Sequence, residues 1–113
     1  MQREVRKFLY DVLQACEALI EFTQGKSLQD YNCDHLLQSG VERQLMIIGE
    51  ALNQADKIDP DISNEIKSFR QIINLRNVIV HGYATVENET IWGILQEDLL
   101  DLHKQAKKFL GET

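Results

Sequence analysis

Apolar residues recur at three- and four-residue intervals along most of this chain, the spacing that places them on one face of an α-helix. Val5, Phe8, Leu9, Val12, Cys16, Leu19 and Ile20 form the first such series and predict an amphipathic helix over about residues 2–24, ending before Gly25. Its polar side holds Arg3, Lys7 and Glu17. After a turn through Gly25, Lys26 and Ser27, the series Leu36, Leu37, Val41, Leu45, Ile48, Leu52 and Ala55 predicts a second helix over about residues 31–57. Gly49 falls inside it, where glycine costs roughly 1 kcal/mol against alanine. A compensating reason is expected there: Gly49 and Ala51 would let a neighbouring helix approach closely.

Asp59 and Pro60 read as an N-cap followed by a first-turn proline, so a short helical turn should precede Ile66. Phe69, Ile72, Ile73, Val78, Ile79 and Val80 then predict a third long helix from Ile66, expected to be the most buried of all. Gly82 stands where a helix C′ residue would be, which puts His81 at a helix C-terminus, with residues 83–86 as the connection beyond. A final helix from about Asn88 should turn Ile91, Trp92, Leu95, Leu99, Leu102, Ala106 and Phe109 inward and fray at Gly111. The pattern predicts an all-α fold, an up-and-down four-helix bundle with an extra short helical turn. A single domain over residues 1–113 is expected, with no repeat, low-complexity tract or linker.

Composition agrees with that class. The chain is 43% hydrophobic and 27% charged with one proline, so it is globular and poor in the Gly/Pro punctuation of multi-stranded β folds. Its formal net charge of −6 argues against broad nonspecific binding to nucleic acid, whose affinity comes mainly from phosphate neutralisation. An RNA site here must be a local concentration of Arg and Lys. The longest apolar runs, residues 45–48 and 78–80, fall far short of the ~20 residues that cross a bilayer, so a soluble protein without a membrane partner is expected. Cys16 and Cys33 lie on predicted helical segments with no apolar signal region before them, which fits a reduced, cytoplasmic setting.

The chemistry concentrates in residues 76–83, where Arg76, Asn77, His81 and Tyr83 surround the run Val78, Ile79 and Val80. Arginine neutralises a phosphate through a planar fork of donors, histidine moves protons near neutral pH, and an amide can orient either. On a helix Arg76 and His81 diverge by about 140° with roughly 7.5 Å of rise, whereas Asn77 and His81 share a face. Arg76 must therefore reach around or meet the histidine of a second copy. A two-fold dimer with two such helix ends opposed would gather two arginines and two histidines in one groove. In it histidine could take the proton of a ribose 2′-OH while arginine stabilises charge at phosphorus, giving a 2′,3′-cyclic phosphate without a metal. The same residues also fit a plainer role as carbonyl caps or surface hydrogen-bonding groups, and Tyr83 fits amphipathic packing. Spacing leaves both readings open.

Elsewhere the chain offers less. His35 and His103 have acids nearby, Asp34 and Asp101, but no second histidine at ligand spacing, so no structural metal is expected. Glu97, Asp98 and Asp101 read as a solvated acidic face, and Glu42 and Arg43 as a pair across a helix face or an interface. No glycine-rich phosphate loop, nucleophile elbow or C-x-x-C is present, and no cofactor is expected.

Three stretches in order resemble the HEPN superfamily, and within it the HepT-like toxins. They are Val41, Glu42 and Arg43 followed by Ile47, Ile48, Gly49, Glu50 and Ala51; then R-x4-H-x-Y from Arg76 to Tyr83; then Val86 with Ile91, Trp92, Glu97, Asp98 and Leu99. The resemblance implies an all-α homodimer acting as a metal-independent ribonuclease toxin, with Arg76 and His81 as the catalytic pair and Asn77 as the polar residue that commonly follows the arginine. It also implies a partner, a minimal nucleotidyltransferase antitoxin that transfers AMP from ATP onto the motif tyrosine, here Tyr83. Negative phosphate beside the groove would repel RNA. Gly82 departs from the family pattern, which often has an acidic residue there, and residues 63–69 replace a tryptophan-bearing stretch. A different class of function, a nonenzymatic subunit that presents a nucleotide or substrate to a nucleotidyltransferase, uses the same groove and suits the acidic charge.

Overall fold

A computed structural model describes residues 2–81 and 87–111, and among them every long apolar series folds as α-helix, with no strand. The helices are α1 (Arg3–Thr23), α2 (Leu28–Asn32), α3 (His35–Ile58), α4 (Asp61–Glu65), α5 (Phe69–His81), α6 (Asn88–Glu97) and α7 (Leu99–Phe109). Tyr83, with the rest of residues 82–86, lies outside the described residues, so the expected cap at Gly82 does too.

The second predicted helix is two helices because two caps interrupt its period. Ser27 Oγ accepts from Asp30 N at 3.1 Å while Asp30 Oδ2 accepts from Ser27 N at 2.9 Å, a reciprocal capping box that starts α2. Asp34 Oδ1 then accepts from Leu37 N at 3.0 Å and starts α3. The short turn after Pro60 is present as α4, fastened by Asp59 Oδ1, which accepts from Asp61 N at 3.1 Å. Ile66 is buried but caps α4 instead of opening α5, so the motif helix starts at Phe69.

The last predicted helix breaks at Asp98, whose φ of −110° and ψ of −24° end α6 and begin α7. No glycine or proline marks the break, and Leu95, Leu99 and Leu102 stay buried across it, so the apolar period runs on. Nor are its acids uniformly solvated: burial first, and Glu97 beside it second, push the Asp98 carboxyl above its usual range.

One cluster of buried residues joins the helices. α1 lies against both α3 and α7 and buries Val5, Leu9, Val12, Leu13, Ala15, Cys16 and Leu19. α5 packs on α3 and buries only Ile72 and Leu75, with Val80 46% exposed. The expectation that α5 is the most buried helix is thus corrected. Burial follows the number of neighbours a helix has, and α1 is covered on two sides. Tyr31 on α2 meets Trp92 on α6 with ring centroids 5.4 Å apart, which ties the short helix to the far side of the chain. Burial, then Glu17, pushes the Cys16 thiol up to about 12, so this cysteine is a packing residue, whereas Cys33 is exposed. No helix among the described residues is long and apolar enough to cross a membrane.

Candidate functional site

The site is set by how closely α5 can approach α3. A Cβ built on Gly49 would lie 2.4 Å from Arg76 Cβ and 2.6 Å from its Cγ, distances that real side chains do not tolerate. Glycine at this position of α3 therefore lets the arginine stem rest against the helix backbone, which is the compensating reason expected for a glycine inside a helix. Gly49 and the arginine belong to one contact.

The guanidinium is then held by groups on both helices. Its Nη2 donates to Glu50 Oε2 in an ion pair, and its Nη1 donates to Asn77 Oδ1 at 2.7 Å. Glu50 is fixed in turn by Gln54, one turn along α3, whose Nε2 donates to Glu50 Oε1 at 3.1 Å. The Gln54 hydrogen bond is the largest influence on the Glu50 carboxyl; burial, the next largest, opposes it, and the Arg76 charge and hydrogen bond then help hold the carboxyl below its usual range. With side chains 24% and 49% exposed, the arginine and glutamate face solvent but are not free in it.

Arg76 and Glu50 line a cleft of about 320 Å³ between α1, α3 and α5. Phe8, Met46 and Val80 give it an apolar surface, and Arg43 and Asp11 add a second cation and a second acid. Two arginines and two acids share this depression, so it carries no formal excess of positive charge, and what it offers a phosphate is positioned donors. His81 ends α5, exposed, roughly a turn and a half beyond Arg76. It is not one of the residues lining this cleft.

The structure thus brings Arg76 and Asn77 together, while the helix turn carries His81, at the end of α5, to a different side from Arg76. Asn77 serves the arginine, one of the two partners its amide could orient. Glu50 and Gln54 are the members of the network that sequence reading did not place there. The signals were the G-E pair at a helix crossing and a Glu with a Gln four residues later, a spacing common on any solvated helix. Away from the cleft, His103 Nε2 lies 3.7 Å from Glu17 Oε2 on α1, not against Asp101. Among the described residues no group of three or more His, Cys, Asp or Glu side chains converges as metal ligands would.

Comparison with known proteins agrees in one direction. Residues 12–109 match the family described as Ribonuclease HepT-like. The chain is similar to a provisionally named RNase of Caldanaerobacter subterraneus subsp. tengcongensis, with 32% identity over 105 residues, covering 93% of either chain. A protein of Thermococcus cleftensis named Probable ribonuclease HepT shows 30% identity over 112 residues, covering 96% of this chain and 97% of its own. A provisionally named RNase of Methanocaldococcus jannaschii shows 29% identity over 108 residues, covering 94% and 96%. No solved structure gives a significant match.

Proposed function

The chain belongs to the HepT-like ribonuclease family, and on that premise we propose that it is a metal-independent endoribonuclease toxin whose active groups are Arg76, Asn77 and His81. The observation that supports this most is the anchored guanidinium: Asn77 and Glu50 fix Arg76 at the edge of a cleft before any substrate arrives. Donors fixed in advance stabilise charge that develops in a transition state without reorganising. In the proposed reaction His81 accepts the ribose 2′-OH proton, and the 2′ oxygen attacks phosphorus. The bond from phosphorus to the 5′ oxygen breaks, leaving a 2′,3′-cyclic phosphate and a 5′-hydroxyl that takes a proton from an imidazolium. Arg76 neutralises the non-bridging oxygens throughout.

The divergence of Arg76 and His81 around α5 supports a shared site, in which a homodimer sets the histidine of one copy near the arginine of the other. RNA cleavage by the purified protein is expected to persist in excess EDTA. RNA left intact by the unmodified protein contradicts the proposal.

Regulation is proposed to act on Tyr83, two residues beyond His81 in sequence. A minimal nucleotidyltransferase antitoxin would transfer AMP to it in the cytoplasm, the tyrosine oxygen attacking the α-phosphorus of ATP with release of pyrophosphate and a proton. The added phosphodiester puts a negative charge where RNA phosphate must enter. Co-expression with such an enzyme is expected to add AMP-sized mass to the intact protein, and Tyr83→Phe should remove that increment. An increment unchanged in Tyr83→Phe takes the tyrosine out of the scheme.

The formal charge of −6 favours a second reading, a nonenzymatic subunit that offers a nucleotide to a nucleotidyltransferase. That subunit would bind nucleotide in the cleft and leave RNA whole.

A further inference from the structure

An arginine side chain has many rotamers to lose, so one left in solvent rarely waits in a single geometry. Arg76 is constrained at both ends: the Gly49 contact fixes its Cβ and Cγ, and two acceptors hold its two terminal nitrogens. Asn77 lies on the same helix and moves with it. Among the described residues only Glu50 ties the guanidinium to α3, and Gln54 ties Glu50 in turn to the next turn of α3.

We propose that Glu50, braced by Gln54, is a positioning residue for Arg76: it fixes the plane of the guanidinium across the α3–α5 crossing so that the unused N–H groups point at substrate phosphate. This rests on Arg76 acting on RNA, as read above. A guanidinium has five N–H donors. Glu50 and Asn77 accept from one terminal nitrogen each, which leaves a second N–H on each of them for a bidentate phosphate contact. A glutamate that merely occupied the phosphate's place would need freedom to leave it, and the Gln54 hydrogen bond opposes that. Glu50 also stays ionised under ordinary assay conditions, since its carboxyl is held below the usual range.

The two roles differ in sign. If Glu50 positions Arg76, Glu50→Gln weakens the ion pair and slows the chemical step. If Glu50 competes with phosphate, the same change speeds cleavage or tightens RNA binding. The experiment is single-turnover cleavage of a labelled single-stranded RNA oligonucleotide, with protein in excess, in the wild-type and Arg76→Lys backgrounds. Glu50→Gln in the wild-type background should lower the limiting rate by roughly tenfold or more, the scale of a small misplacement, with little change in half-saturation. In Arg76→Lys, where the fork is already lost, the second change should matter far less. An equal fall in both backgrounds marks Glu50 as generally structural and overturns the proposal; an unchanged or higher limiting rate in the wild-type background overturns it too.

Gln54→Ala removes only the brace and should give a smaller loss of the same kind, again confined to the background that keeps Arg76. If Glu50→Gln does not fold, this variant decides, and no loss of limiting rate counts against positioning. The parent reading fails separately. Wild-type protein that leaves the oligonucleotide whole, or Arg76→Ala that cleaves like wild type, removes the role of Arg76 itself. Loss in Arg76→Ala with none in Glu50→Gln removes only the positioning.

Discussion

His81→Ala is expected to lower the rate of RNA cleavage by about 10²–10⁴-fold, the usual contribution of a positioned general acid or base. Stability should change far less than the rate. His81 is exposed at the last position of α5, so truncation opens no cavity in the core. Its favourable charge at a helix C-terminus, when protonated, contributes on the order of 0.3–1 kcal/mol. Initial rates on RNA measure the first quantity and urea midpoints the second. A large rate loss with a matched midpoint separates chemistry from folding, while a variant that cleaves as fast as wild type places the proton transfer elsewhere.

Gly49→Ala should be the most damaging alanine substitution among the described glycines that lie inside helices, although alanine is the better helix former by roughly 1 kcal/mol. The new methyl would meet Arg76 Cβ and Cγ at 2.4 and 2.6 Å. Those atoms sit next to the α5 backbone and cannot swing aside as the end of a side chain could. To restore ordinary carbon contact, α5 must move by about an ångström, and overpacking of this kind typically costs about 1–3 kcal/mol or more. The net expectation is a loss of up to about 2 kcal/mol in urea unfolding. Because the same shift pulls the guanidinium from Glu50, cleavage should fall by about 10²-fold.

Gly93→Ala is the internal control for that argument. It also lies inside a helix, α6, but its added Cβ meets no described atom within 4 Å. Propensity alone then decides, and the variant should gain up to about 1 kcal/mol. Opposite signs at two mid-helix glycines isolate the helix crossing as the cause. A stabilised Gly49→Ala would mean that α3 and α5 are not in contact as described.

The part of this architecture that sequence patterning could show is the part that depends on period. Helices appear wherever apolar residues recur at helical spacing, and Gly49 announces a close approach because glycine is otherwise unfavourable there. Patterning could not show that Ile66 caps α4 while Phe69 starts α5, since both are apolar and in phase. It also ran past Asp98, where the period survives the break, and past Asp34, where a cap is written in one carboxylate. The misjudged burial of α5 has a similar origin: composition counts apolar residues, but burial depends on how many helices lie against them.

At the site, residue type and spacing offered Arg76, Asn77 and His81 as candidates, and helical geometry separated the arginine from the histidine. Neither could reveal the tie from Arg76 to Glu50, because 26 residues separate the partners and only the crossing of α3 and α5 joins them. Tyr83 lies outside the described residues, and its proposed role rests on the family resemblance that the R-x4-H-x-Y motif carries.

The chemistry of the product ends tests the proposed function most directly. RNA treated with the purified protein in EDTA should yield fragments ending in 2′,3′-cyclic phosphate and beginning with 5′-hydroxyl, and the same protein with His81→Ala should yield essentially none. Fragments with 5′-phosphate and 3′-hydroxyl ends, or cyclic-phosphate ends formed equally well by His81→Ala, would contradict an Arg76 and His81 ribonuclease.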